Sequence, residues 1–266
     1  MDNIYTFNRV TFIGFGLINS SLARVFKSKS LAKEICAYSR RKETLLKIKD
    51  LNIADYIYDD VEKSIENSDL IILGVPVGAM SSLVNKFAKS LKNGAIVTDV
   101  GSIKKSILDS ISLELPKGVH FVPGHPIAGT EKSGPESGFE SLFKGRWCIL
   151  TPTKKTSKDA IEKVKFIWKQ AGMKVAIMDA DYHDRVLAIT SHIPHLVAYS
   201  IVGTVTDLEE QLKTEVIKYS AGGFRDFTRI AASDPIMWRD VFLNNSDAVL
   251  EMLGRFIEDL TALQKS

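Results

Sequence analysis

The sequence predicts an α/β chain, a doubly wound, mostly parallel sheet followed by an all-helical C-terminal region. Three observations lead there. Apolar runs of strand length alternate with amphipathic stretches as far as Met178, a glycine turn separates the first strand from the first helix, and no strand pattern follows Met178.

The strand candidates are Val10 to Ile13, Ile35 to Tyr38, Leu70 to Val75, Ala95 to Asp99, His120 to Val122, Trp147 to Leu150 and Val175 to Met178. Near-continuous apolar runs imply burial on both faces, as in a parallel sheet covered by helices. Ile18, Leu22, Val25 and Phe26 mark one helical face, and Ile161, Val164, Ile167 and Trp168 mark another. Beyond Met178, Val249, Leu250, Leu253, Phe256, Ile257 and Leu260 fall on a single helical stripe. The segment from Val186 to Val205 is apolar nearly all round, more than a small helical domain covers by itself. A homodimer burying it between subunits is therefore expected. The domains read as a dinucleotide-binding unit over residues 1–178 and a helical substrate and dimerisation unit over residues 179–266, with no linker between them.

Composition narrows the function. The 266 residues are 45% apolar and 25% charged, with 35 Lys and Arg against 32 Asp and Glu. A net charge of +3 spread along the chain gives no electrostatic footprint for nucleic acid. Cys36 and Cys148 sit in apolar stretches without a C-x-x-C pair, so they read as reduced packing residues of a reducing compartment. The opening MDNIYTFNRV lacks a basic end followed by an apolar segment, so no secretory leader is expected. The Val186 to Val205 run contains His192, Pro194 and His195, which are costly in hydrocarbon. A buried helix in a cytoplasmic protein is the expectation, with no membrane partner.

The first strand runs into Gly14-Phe15-Gly16-Leu17-Ile18-Asn19 and directly into a helix. Gly14 permits the sharp turn, and Gly16 lets a pyrophosphate approach the backbone at the positive end of the helix. This is the Rossmann-type dinucleotide fingerprint, with Asn19 where a third glycine is usual, a change expected to loosen the contact between helix and strand slightly. At the end of the second strand an NAD site places an acid for the ribose hydroxyls. Here Ser39-Arg40-Arg41-Lys42 stands instead, and two guanidiniums with a hydroxyl suit a 2′-phosphate, so NADP is preferred and NAD remains open. The plain alternative is a solvated basic helix start. Further cofactor contacts are assigned to Val75, Pro76 and Gly101.

Two more loops leave strand ends on the ligand side of such a sheet: Thr98 to Lys104, and Gly124-His125-Pro126-Ile127-Ala128-Gly129-Thr130-Glu131. Hydride transfer from an alcohol carbon needs a base for the hydroxyl proton, and a neutral imidazole suits that work near pH 7. His125 stands where such a base belongs, with Ser102 to orient it and Glu131 to fix its other nitrogen or neutralise a cation. It also reads as an ordinary hydrogen-bonding residue. Ser191 and His195, four apart, share a helical face if the helix persists through Pro194. Arg225, Arg229 and Arg239 imply an anionic substrate, or else pair with Asp226 and Asp240. His183, Asp184, His192 and His195 lack convincing metal-ligand spacing, so no metal is expected.

Taken together, GFGLINSS, TDVGSIK, GHPIAGTE, SHIPH and GGFRDFTRIA resemble the prephenate/arogenate dehydrogenase family of tyrosine biosynthesis, over essentially the whole chain. The resemblance implies NAD(P)-dependent oxidative decarboxylation of a cyclohexadienol, in which hydride leaves the carbinol carbon and the ring carboxylate departs as CO2. It makes His125 the base or acceptor on the ring hydroxyl, with Ser102 its partner, and Arg229 the carboxylate ligand. Ser191 and His195 line the pocket, Gly222 and Trp238 shape it, and Glu131 and Asp226 supply outlying charge. The alternatives are another β-hydroxyacid dehydrogenase or imine reductase, or a dinucleotide sensor without turnover.

Overall fold

The computed structural model describes residues 6–130 and 132–266, so Glu131 lies outside the described residues. The chain divides into two compact units, Met1–His183 and Asp184–Ser266.

In the first unit β1 (Phe7–Ile13), β2 (Ala32–Tyr38), β3 (Tyr56–Tyr58), β4 (Leu70–Leu73), β5 (Ile96–Asp99) and β6 (His120–Val122) form a six-stranded sheet ordered β3-β2-β1-β4-β5-β6. Every pairing in it is parallel. The strands are joined by α1 (Leu17–Ser28), α2 (Lys42–Asp50), α3 (Val61–Ile65), α4 (Val77–Phe87) and α5 (Lys105–Glu114). Strand order reverses between β1 and β4, so the loops after them part and leave a crevice at the C-terminal edge. Alternate residues feed the two faces. Leu70 and Ile72 of β4 join Phe12, Phe26 and Trp168 on one side, while Ile71 and Leu73 join Ile13, Val97 and Phe87 on the other. Burial on both faces is the reason these strands read as unbroken apolar runs.

The observed sheet is smaller than the sequence implied. The runs at Trp147 and Val175 do not extend it; as β8 (Trp147–Leu150) and β9 (Lys174–Ile177) they form a separate three-stranded sheet with β7 (Gly124–Pro126), connected through α6 (Lys158–Gln170). β7 pairs antiparallel with β8, which sets His125 opposite Ile149. The segment Gly124-His125-Pro126, expected as loop, is strand because its backbone is paired, although glycine and proline erase the apolar signature. β3 was missed for a related reason, being a short edge strand whose Tyr56 and Ile57 are exposed.

Asn19 corrects another expectation. Far from loosening the contact, its side chain is 1% exposed and its Nδ2 donates to the Gly14 carbonyl at 2.7 Å, with Ile72 O at 3.3 Å and Ile13 O at 3.4 Å. The room for this amide comes from glycine at the facing strand end, since a Cβ on Gly74 would sit 2.3 Å from Asn19 Nδ2. Ser20 is accommodated in the same way by Gly138, whose Cβ would lie 2.2 Å from Ser20 Oγ. Helix and sheet stay closely apposed because each larger side chain faces a glycine.

The second unit is helical. α7 (Ala180–Leu187) carries the chain across the division, a π-helical turn Ala188–His192 leads into α8 (Ile193–Thr206), and α9 (Glu210–Tyr219), α10 (Gly222–Thr228), α11 (Pro235–Asn244) and α12 (Ser246–Lys265) follow. The continuous helical run Ala180–Thr206 is long and apolar enough to cross a membrane by length and composition. It also carries His183, Asp184 and His192, all buried within the chain. The interior of this unit is thin, with Ala188, Ile193 and Val249 as its buried apolar cluster. Of the stripe on α12 only Val249 is buried, while Leu250 is 64% and Ile257 53% exposed.

Both cysteines are buried and unpaired. Burial pushes the Cys36 thiol up to about 11 and the Cys148 thiol well above its ordinary value, so neither is a thiolate near neutrality.

Replacing Asn19 by alanine should lower stability by about 1–3 kcal/mol, through lost hydrogen bonds to buried carbonyls and an unfilled space against Gly74. Equilibrium urea unfolding measures it; an unchanged midpoint would show that the amide does not tie helix to sheet.

Candidate active site

Gly14 takes φ +82°, and a Cβ there would meet Gly74 O and Val75 Cγ1 at 2.7 Å, so β1 can end in this turn only with glycine. Gly16 differs in kind: a Cβ on it would meet nothing within 4 Å. The space beside it is open, no side chain caps it, and the first turn of α1 contains no acid. The backbone N–H groups of Leu17 and Ile18 have no helical acceptor, so an anion fits this end. Val75 and Pro76 follow β4 on the other side of the same crevice. The residues present fit a dinucleotide pyrophosphate.

At the end of β2, Ser39 is buried and its Oγ accepts from the Arg41 backbone N–H at 3.2 Å. This fixes the bend into α2. Arg40 and Arg41 are exposed, and their guanidiniums pair with none of the described residues.

The strand ends β5 and β6 are locked by a buried ion pair whose residues carry no motif signature as charged side chains. Asp99 and Lys104 form an ion pair with both side chains 0% exposed. Asp99 Oδ2 also accepts from Gly101 N at 2.8 Å, and its Oδ1 accepts from Gly124 N at 3.2 Å. Lys104 Nζ donates in turn to Gly124 O at 2.8 Å. Gly124 is thereby held through both its N–H and its C=O, and the next residue is His125. Burial pushes the Asp99 carboxyl above its ordinary value, opposed by the Lys104 ammonium and the two amide donors.

His125 is buried on β7, and its Nδ1 lies 2.9 Å from Nε2 of His183. Ser102, expected as its orienting partner, is half-buried in the loop after β5 and makes no side-chain hydrogen bond among the described residues. The imidazole is therefore met by His183 from α7, a residue weighed in the sequence only as a metal ligand. Among the described residues no cluster of three His, Cys, Asp or Glu side chains is arranged to hold a metal ion.

In the helical unit the chain does continue as helix through Pro194, at the first turn of α8. The preceding π turn presents the Ser191 carbonyl to His195 Nδ1 at 2.9 Å. A carbonyl only accepts, so Nδ1 carries the hydrogen and Nε2 is bare in the neutral ring. Burial holds the His195 pKa below its ordinary value of about 6.5, against the opposing pull of that carbonyl. The ring stacks on Trp238 with centroids 3.6 Å apart, and Trp238 Nε1 is buried with no partner among the described residues. Asn245 ties the group together, its Nδ2 reaching His192 Nδ1 at 3.1 Å and Asp184 O at 2.9 Å. Arg229 opens the 3-10 turn after α10. Arg229 and Asp226 are exposed and make no ion pair among the described residues, whereas Arg239 pairs with Asp240 at 2.7 Å. Gly222, at the start of α10, faces open space.

Lys104→Met would leave Asp99 as an uncompensated buried carboxylate, and the expected cost is about 3–5 kcal/mol. Thermal and urea unfolding measure it, and a loss under about 1 kcal/mol would show that the pair is no keystone of the loop.

Comparison with known proteins adds to this geometry. The sequence model described as the nucleotide-binding domain of prephenate dehydrogenase matches residues 22–177, and that described as its dimerization domain matches residues 179–266. Cyclohexadienyl dehydrogenase of Zymomonas mobilis is 40% identical over 97% of this chain and 88% of its own length. Prephenate dehydrogenase of Bacillus subtilis is 35% identical over 94% of this chain and 68% of its own. Prephenate dehydrogenase from A. aeolicus, solved with hydroxyphenyl propionate and NAD+, superposes with a TM-score of 0.91 at 37% identity, covering 99% of this chain and 91% of that one. A glycine cradle at the crevice, a buried imidazole at the neighbouring strand ends and matches spanning the chain agree: this protein belongs to the prephenate dehydrogenase family.

Proposed function

We propose that the chain catalyses NAD(P)-dependent oxidative decarboxylation of prephenate, arogenate or both, to 4-hydroxyphenylpyruvate or tyrosine, in tyrosine biosynthesis. The observation that carries this reading is His125, a buried imidazole held at the same sheet edge as the glycine cradle. The loops after β1, β4, β5 and β6 all leave a parallel sheet at its C-terminal edge, so cradle, Gly101 and His125 share one side by topology alone.

In this reading a dinucleotide held by the glycine cradle would supply the hydride acceptor for the carbinol carbon. His125 takes the hydroxyl proton through Nε2, the ring carboxylate leaves as CO2, the electron pair it releases completes the aromatic ring, and the imidazolium returns the proton to the resulting phenolate oxygen. Ser102, within the loop after β5, adds a hydroxyl that orients the reacting groups. Arg229 binds the ring carboxylate, for which an uncommitted guanidinium is suited. Ser191 and His195 line the pocket, Gly222 and Trp238 bound it, and Glu131 and Asp226 set the charge around it. The domains divide as residues 1–178 for the dinucleotide and 179–266 for substrate and dimerisation. The apolar surface left on the π turn before α8 and on α12 supports a homodimer, since Ile189 and Leu250 are 50% and 64% exposed in the single chain. A cytoplasmic location accords with the soluble substrates.

NADP is the preferred cofactor. Supporting this, β2 ends without an acid, and Arg40 and Arg41 are uncommitted beside the Ser39 hydroxyl. Each charge-assisted bond to a 2′-phosphate contributes about 1.5–3 kcal/mol, or roughly tenfold or more in affinity.

Reduced-nicotinamide absorbance with prephenate and arogenate crossed against NAD and NADP tests the whole reading. His125→Asn should lower kcat by about 10²–10⁴ with KM little changed; normal turnover would remove His125 from the mechanism. Arg40→Ala with Arg41→Ala should cut the NADP-to-NAD ratio of kcat/KM by about tenfold or more. An unchanged ratio would sink the cofactor assignment.

A further inference from the structure

We propose that His183 is a positioning residue that fixes the tautomer of His125, leaving Nε2 without a hydrogen and able to accept the substrate proton. This rests on the role given to His125 above.

A neutral imidazole carries one N–H, so a bare Nε2 requires the hydrogen on Nδ1. A buried N–H needs an acceptor, and its absence costs about 1–3 kcal/mol. His125 Nδ1 lies 2.9 Å from His183 Nε2, with the rings edge-on at 66° and their centroids 5.1 Å apart. In one arrangement Nδ1–H of His125 donates to Nε2 of His183, whose own hydrogen then sits on its Nδ1. In the other, His183 donates, and the hydrogen of His125 moves to Nε2, where it blocks proton acceptance. Only the first arrangement serves a base.

Two observations make His183 suited to the task. It is 0% exposed, so bulk water does not replace it as the partner of Nδ1. Its backbone is also anchored. Asp179 Oδ1 accepts from Asp181 N at 2.9 Å and Tyr182 N at 3.2 Å, capping α7, and Asp179 O accepts from His183 N at 2.9 Å. One imidazole rides on β7, whose first residue, Gly124, is clamped by Asp99 and Lys104; the other rides on a capped helix. When His125 takes the proton, its Nδ1–H bond to His183 becomes charge-assisted and stronger, so the same contact favours the imidazolium as it forms.

The test combines spectroscopy with kinetics. The chain has five histidines, few enough to assign by long-range 1H–15N correlation of 15N-histidine-labelled protein, with His125→Asn identifying the signal. The expected pattern for His125 in the unmodified protein above pH 7.5 is Nδ1 protonated and Nε2 bare. In His183→Leu that pattern should give way to a tautomer mixture, and kcat should fall about 10- to 1,000-fold with KM held within about threefold. His183→Gln places an amide oxygen where Nε2 was and should recover most of kcat together with the Nδ1–H pattern. A hydrogen on Nε2 of His125 in the unmodified protein, an unaltered tautomer in His183→Leu, or a Gln variant no better than Leu would each overturn the proposal. Failure of the base role itself reads differently, as normal turnover in His125→Asn while the His125 tautomer of the otherwise intact protein still follows residue 183.

Discussion

The buried Asp99–Lys104 pair is the constraint around which the C-terminal edge of the sheet is arranged at β5 and β6. It joins the ends of β5 and the segment after β6 through three backbone contacts, at Gly101 N, Gly124 N and Gly124 O. Two buried charges are costly to desolvate, and an apolar pair of similar size would fill the space at lower cost. What the charges provide is direction. A carboxylate accepting from two separate loops and an ammonium donating into one of them admit a single backbone arrangement, and β7 starts from it. The side chain at position 125 inherits that definition, and so does the way it meets His183.

The helical unit has the opposite character. Its own buried apolar cluster is small, and much of α8, α9 and α12 faces outward with leucine, isoleucine and valine. Polar contacts do the local fixing instead: Asn245 joins the Asp184 carbonyl to the His192 ring, Tyr199 Oη donates to Ser233 O at 2.7 Å, and His195 stacks on Trp238. A unit built this way is fixed by polar contacts at its turns and thin in its apolar core, as expected of a domain whose remaining core comes from a second copy.

How much of this the sequence disclosed follows from the length scale of each feature. The parallel sheet was legible because strands buried on both faces are apolar at every position, and the cradle because Gly14 and Gly16 sit between a strand and a helix. His125 could be singled out because it lies in the distinctive GHPIAGTE segment, although that segment begins as strand. His183 was not, since its importance comes from a contact with a residue 58 positions away, and nothing in its own neighbourhood distinguishes it from a surface histidine. Asp99 and Lys104 stood in plain view within TDVGSIK, yet charged residues read as solvated unless their burial is known. β7 escaped for lack of periodicity in three residues. The fit of Asn19 was not legible because the room at a fingerprint position is set by the facing residue, here Gly74, far away in sequence.

That last contact carries a consequence for how this chain can change. Asn19 with Gly74, and Ser20 with Gly138, are complementary volumes, each large member opposite a glycine. Restoring glycine at position 19 empties the space and strips carbonyls of a donor, while adding a side chain at position 74 collides with the amide. Either step alone is unfavourable, and the two together are tolerable. Residues 19 and 74 are thus coupled, and a change at both costs less than the sum of the two single changes. A segment grafted into this chain would fit only when both halves of each contact travel together.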